Sequence, residues 1–134
     1  MATIAIDFDG TCVKEAFPLV GETVPGSVEV LKELQTRGHD LILWTVRGNY
    51  ITPELLPYSS NLLRDAVSWF TRNGITLHGV NHNPDQFKND SPKILYDLLI
   101  DDRCLGTPIT RDEKGNEFVD WKKVRMMLQE KELL

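Results

Sequence analysis

The sequence predicts an α/β domain with a mainly parallel sheet in a Rossmann-like three-layer α/β/α arrangement. Two observations predict the class: short β-branched apolar runs alternate with stretches of helical periodicity, and three of those runs stop abruptly at acidic or hydroxyl residues. A third predicts one domain: glycines and prolines are spread among short turns and do not collect at a linker. With 134 residues the chain has the length of a single domain (1–134) and can bury a core without disulfides or metals.

The elements follow in order. Residues 3–6 form a β-branched apolar run ending at Asp7, and residues 41–44 form another ending at Thr45; both read as strands buried on two faces. Between them Pro25, Gly26 and Ser27 signal a helix start, Val28, Leu31 and Leu34 recur at helical spacing, and Gly38 supplies the stop. A second helix is expected over about residues 59–73, where Leu62, Leu63, Ala66, Val67 and Phe70 make one apolar stripe before Gly74. Residues 77–80 read as a third strand and residues 98–100 as a further one ending at Asp101. Residues 105–118 contain a hairpin signal at Gly115-Asn116, and the last helix carries Trp121, Val124 and Leu128 on one face.

Composition narrows the function classes. Fifteen basic against 20 acidic residues give a net charge of -5, so no global positive field favours non-specific nucleic-acid binding. No apolar run is long enough to span a membrane, and Asp7 and Asp9 interrupt the N-terminal one before it forms a signal segment. The expected setting is cytoplasmic, where Cys12 and Cys104 stay reduced.

Open parallel sheets bind ligands beyond the carboxyl ends of their strands, so the polar residues that end the apolar runs are expected in one crevice. These are Asp7-Phe8-Asp9-Gly10-Thr11, Thr45-Val46-Arg47 and Asp101-Asp102-Arg103. Four converging carboxylates need a divalent cation or protonation to relieve their charge. Hard oxygen donors without a histidine or cysteine cluster favour magnesium over zinc.

The Asp7-x-Asp9-Gly10-Thr11 motif, Thr45 after the second strand, a downstream lysine and the Asp101-Asp102 pair resemble the haloacid dehalogenase-like phosphohydrolase superfamily over residues 4–103. The resemblance implies a magnesium-dependent phosphatase in which Asp7 attacks phosphorus and Asp9 serves as general acid and base, ligating magnesium through its backbone carbonyl. Asp7, Asp9, Asp102 and Asp101 are the implied metal ligands, Asp102 directly and Asp101 through water or by bonding to a group that touches the metal. A phosphate monoester repels nucleophiles, so such a site must neutralise the phosphoryl group and align the attacker. Phosphate contacts are expected from Gly10, whose turn aims backbone N–H groups, from the Thr45 hydroxyl, from Arg47, and from a charge-balancing lysine, Lys93 with Lys88 as the substitute.

Only residues 12–24 and 47–60 are available where members of that superfamily insert a cap, and neither is long enough for a folded one. An open site admits bulky phosphorylated substrates, or a neighbouring subunit in a homo-oligomer closes it, with residues 105–118 as the contributing hairpin. The competing class is a phosphoryl-accepting or metal-binding regulatory module without turnover. A P-loop kinase is excluded by the lack of a Gly-x4-Gly-Lys-Ser/Thr run. His78 and His82 flank a strand end and read as solvated or hydrogen-bonded, not as a metal pair, and Cys12 reads as a small packed side chain.

Overall fold

A computed structural model describes residues 1–49, 61–87 and 91–134. The elements run β1 (Thr3–Ile6), α1 (Ser27–Thr36), β2 (Asp40–Leu43), α2 (Leu62–Arg72), β3 (Gly79–Val80), β4 (Leu98–Ile100), β5 (Ile109–Arg111), β6 (Glu117–Val119) and α3 (Trp121–Glu130). The first four strands make a parallel sheet in the order β3-β2-β1-β4, and β5 and β6 form a separate antiparallel hairpin. Among the described residues no helix is long and apolar enough to cross a membrane.

The glycines flank α1 where expected, and the structure adds two side-chain caps. Gly26 and Gly38 bracket α1 with φ of 86° and 88°, a conformation glycine adopts without a Cβ penalty. Asn61 caps α2 by accepting from the Arg64 N–H, and Asp120 caps α3 by accepting from Lys123. Trp121, Val124 and Leu128 form the buried face of α3. The expected second helix begins in part outside the described residues, and the third strand is shorter than expected, with His78 before it donating its N–H to the Leu41 carbonyl.

Alternation along β1 and β2 sends side chains to both faces of the sheet. Ile4, Ile6, Leu41 and Leu43 pack with the buried faces of α1, α2 and α3 in one core; Ala5 and Ile42 pack on the other side with Ile94, Trp44, Tyr96 and Leu99. The three helices therefore share one core among the described residues, and the second face is covered by side chains from connecting segments. The sequence reading expects a helical third layer; among the described residues no helix packs on that second face.

Strand order decides where ligands meet the sheet. From β1 the chain moves outward to β2 and β3, then returns across the sheet to β4 on the opposite flank of β1. This reversal opens a crevice at the carboxyl end of β1, with the loops after β2 and β4 on either side.

Candidate active site

Asp7 lies at that reversal, and Asp101 and Asp102 follow β4, its hydrogen-bonded neighbour. Carboxylate oxygens of Asp7, Asp101 and Asp102 lie within 4.8 Å of one another. Thr11 fixes two of the three: its hydroxyl donates to Asp7 Oδ2 at 2.8 Å and accepts from the Asp102 N–H at 3.1 Å. Thr11 is itself fully buried, and its carbonyl accepts from the Trp121 indole at 2.8 Å. The Asp101 carboxylate accepts from the Arg103 N–H at 2.8 Å.

The electrostatics follow from this crowding. Burial, with the charge of Asp101 next in weight, pushes the Asp7 carboxyl up from 3.8 to about 8, and Asp7 shares a hydrogen bond with Asp102. Burial also raises Asp102, which the Asp7 hydrogen bond and the Arg103 charge partly offset. Three oxygen-donor groups that cannot all ionise together suit a small hard dication, which would let all three carry their charge. The neighbouring thiols suit it less, because burial keeps both Cys12 and Cys104 above the usual thiol range. Cys12 is buried and donates to the Asp7 carbonyl at 3.3 Å, in keeping with a packed side chain.

Gly10 has a role that depends on residues far along the chain. Its φ is 83°, and a Cβ there would overlap Asp102 Oδ2 and lie 2.7 Å from Asp102 Cγ, so glycine makes room for the third carboxylate. Its own N–H donates to the Val13 carbonyl at 2.7 Å. The sequence reading expects the Gly10 turn to aim backbone N–H groups at phosphate; the N–H of Gly10 itself closes the loop.

Arg47 also departs from expectation. It is 1% exposed and grips Asp9 with a two-point fork, Nε to Oδ2 and Nη2 to Oδ1, both at 2.8 Å. Its remaining N–H groups reach the carbonyls of Pro18, Leu19 and Leu62, so all five donors are occupied and none is left for a phosphate. The guanidinium carbon lies over the rings of Phe8 and Phe17, 5.1 and 5.3 Å from their centroids. The Asp9 carboxylate is therefore set apart from the three-carboxylate cluster, held beside it at the cleft wall.

Thr45 follows β2 as expected. Its hydroxyl accepts from the Arg47 N–H at 3.2 Å, and its own N–H donates to Asn81 Oδ1 at 2.8 Å. Asn81, at the carboxyl end of β3, also donates to the Arg47 carbonyl and so pins the 45–47 loop from both ends. The sequence reading passes over Asn81, although it ends an apolar run in the same manner as Asp7 and Thr45.

A cleft of about 280 Å³ is lined by Asp7, Asp9, Asp101 and Asp102, with Glu15, Phe17, Val46 and Arg103 around them. Gly10, Thr45 and Arg47 are not among its lining residues, and neither is Lys93. That residue is exposed, with its amine 5.9 Å from the centroid of the Tyr96 ring in a neighbouring hollow, and Lys88 lies outside the described residues. His78 pairs with Asp85 at 2.7 Å and lies 3.7 Å from Asp40, while His82 bonds the Val80 carbonyl, so the two histidines serve separate local contacts.

No protein-family model and no curated protein matches the chain. A solved structure described as a conserved protein from Bacteroides thetaiotaomicron superposes with a TM-score of 0.72 at 36% sequence identity, covering 97% of this chain and 91% of that one. The chain belongs to the same family as that conserved protein. The likeness extends over nearly all of both chains, so the sheet, the hairpin and the cleft fall inside the shared region.

Proposed function

We propose that the chain is a magnesium-dependent phosphomonoester hydrolase of the haloacid dehalogenase-like superfamily, acting without a cap domain through an aspartyl-phosphate on Asp7. The observation that carries this reading is the convergence of Asp7, Asp101 and Asp102 within 4.8 Å, with Asp9 gripped beside them at the cleft wall.

Asp7, Asp101 and Asp102 would hold the magnesium, which, when bound, offsets their charge and that of the phosphoryl oxygens. Thr11, bonded to Oδ2 of Asp7, fixes the rotation of the nucleophilic carboxylate, which saves the entropy of orienting it during attack. In the first half-reaction an Asp7 oxygen bonds phosphorus as the bond to the leaving alcohol breaks; Asp9 gives that alcohol the proton it took from water in the preceding turnover and returns to the carboxylate that Arg47 grips. In the second, Asp9 takes a proton from water, the water oxygen bonds phosphorus, and the Asp7–phosphorus bond breaks. Arg47 holds Asp9 at one place through both steps, and each carboxylate oxygen keeps a lone pair beyond the one it gives the guanidinium. The Thr45 hydroxyl accepts from Arg47 and keeps its own O–H to donate to a phosphoryl oxygen.

The test is a panel of phosphomonoesters incubated with magnesium and then with a chelator, using the wild type and Asp7→Asn. Hydrolysis that needs both magnesium and Asp7 supports the proposal. Undiminished hydrolysis by Asp7→Asn overturns the mechanism. A phosphorylated protein that persists for hours without net release of phosphate favours the regulatory-module reading instead.

A further inference from the structure

Resting on that reading, we infer that Phe17 and Val46 form the leaving-group subsite and that the substrate is a phosphomonoester whose alcohol carries an uncharged ring. Single exposed apolar side chains are ordinary on protein surfaces. Here two of them, Phe17 at 42% and Val46 at 96% exposure, line the cleft that holds the nucleophile.

Phe17 is held in place by its neighbours. Its ring lies against the buried guanidinium of Arg47, and its N–H donates to the Glu15 carboxylate at 3.0 Å. The loop that carries it folds back on itself through Lys14 N–H to the Glu22 carbonyl and Val24 N–H to the Cys12 carbonyl. Lys14 then ties that loop to the hairpin through Asp112 at 3.1 Å. A ring fixed in this way offers its exposed surface to a ligand at little entropic cost.

Charge selects the type of leaving group. Arg103 is the one cation lining the cleft among the described residues, and Glu15 lines it too, its carboxylate accepting the Phe17 N–H. A dication can offset the cluster and Arg47 offsets Asp9, which leaves Glu15 and Arg103 as opposite charges on the lining. A leaving group with its own carboxylate or second phosphate finds no surplus positive charge there, while a neutral ring can lie against Phe17 and Val46.

Benzyl phosphate, glycerol 1-phosphate and 2-phosphoglycolate are all esters of primary alcohols and differ in what the alcohol carries: a ring, neutral hydroxyls or a carboxylate. The inference expects kcat/KM to be highest for benzyl phosphate and about tenfold or more lower for 2-phosphoglycolate. Adenosine 5'-monophosphate tests whether a ring at the distance of a ribose serves instead, and preference for either ring ester over both others supports the subsite. Phe17→Ala is expected to reduce the ratio of benzyl to glycerol ester kcat/KM about tenfold, through KM. Val46→Glu should shift the ratio the same way and perturbs the fold little, because its side chain is almost wholly exposed.

Binding of the unreactive benzylphosphonate and phosphonoacetate by calorimetry, with magnesium in the buffer, separates this inference from the catalytic one. Tighter binding of benzylphosphonate without turnover of any ester keeps the subsite and removes the phosphatase. Turnover with equal binding of the two phosphonates, or ratios unmoved by both variants, overturns the subsite.

Discussion

Replacing Arg47 by methionine is the perturbation with the most calculable cost. Arg47 is the one charged side chain among the fully buried described residues, and its removal strips Asp9 of its partner and takes a donor from the carbonyls of Pro18 and Leu19, while the Leu62 carbonyl keeps its place in the first turn of α2. Methionine fills much of the volume between Phe8 and Phe17, so the loss is mainly electrostatic. Breaking a buried ion pair by deleting one member costs about 3–5 kcal/mol, and each buried carbonyl that finds no water adds up to about 1–3 kcal/mol, non-additively. Against a total stability of about 5–15 kcal/mol, a loss of about 3–5 kcal/mol lowers Tm by roughly 10–20 °C. Urea unfolding at neutral pH measures it, with Val46→Ala, one residue away and 96% exposed, expected within about 0.5 kcal/mol of wild type. Asp9→Asn should also destabilise, and the double variant should lose less than the sum by about 1–3 kcal/mol, since the second change removes a charge already orphaned. An Arg47→Met loss below about 1 kcal/mol, or additive single variants, would refute the buried clamp.

Other outcomes follow from the same geometry. Gly10→Ala should lower Tm and weaken magnesium binding at least about tenfold, because the new methyl group displaces Asp102 and the backbone at φ 83° is strained; calorimetric titration with magnesium checks it. In chelator the folded chain keeps a proton on Asp7, held up at about 8, that the unfolded chain loses near 3.8, so stability should fall as pH rises between those values. Melting curves of wild type and Asp7→Asn at pH 6 and pH 9 read this, and the variant should be the more stable at the higher pH. Magnesium affinity should rise with pH up to about 8, by about tenfold per pH unit if one proton leaves, and titration in buffers of different ionisation enthalpy counts the proton. Asn81→Ala should reduce kcat/KM about tenfold by freeing the Thr45-Arg47 loop from β3, as measured on whichever ester is turned over fastest.

Legibility in the sequence depended on the range of the interaction. The strands and helices were readable because each is set by local periodicity and by punctuating glycines such as Gly26 and Gly38. Convergence of Asp7 with Asp101 and Asp102 was readable because one rule, polar residues at the carboxyl ends of parallel strands, joins residues more than 90 positions apart. The same rule reaches Asn81, which the motif pattern obscured. Arg47 was misread because its partners, Asp9 and three backbone carbonyls from separate segments, are set by packing that no local pattern encodes. Gly10 was assigned its turn correctly but not its reason, which is Asp102 across the sheet. A helical third layer was expected as part of the fold; on the second face the described part of the crossover from β3 to β4 places Ile94 and Tyr96, apolar side chains whose spacing encodes no helix.

The most direct test of the central claim is a rapid acid quench of a single turnover of phosphorus-labelled ester with magnesium present. The account predicts transient label on the protein, mapped to Asp7 and absent in Asp7→Asn, appearing before free phosphate. Release of labelled phosphate at the full rate with no label ever on Asp7 would contradict it.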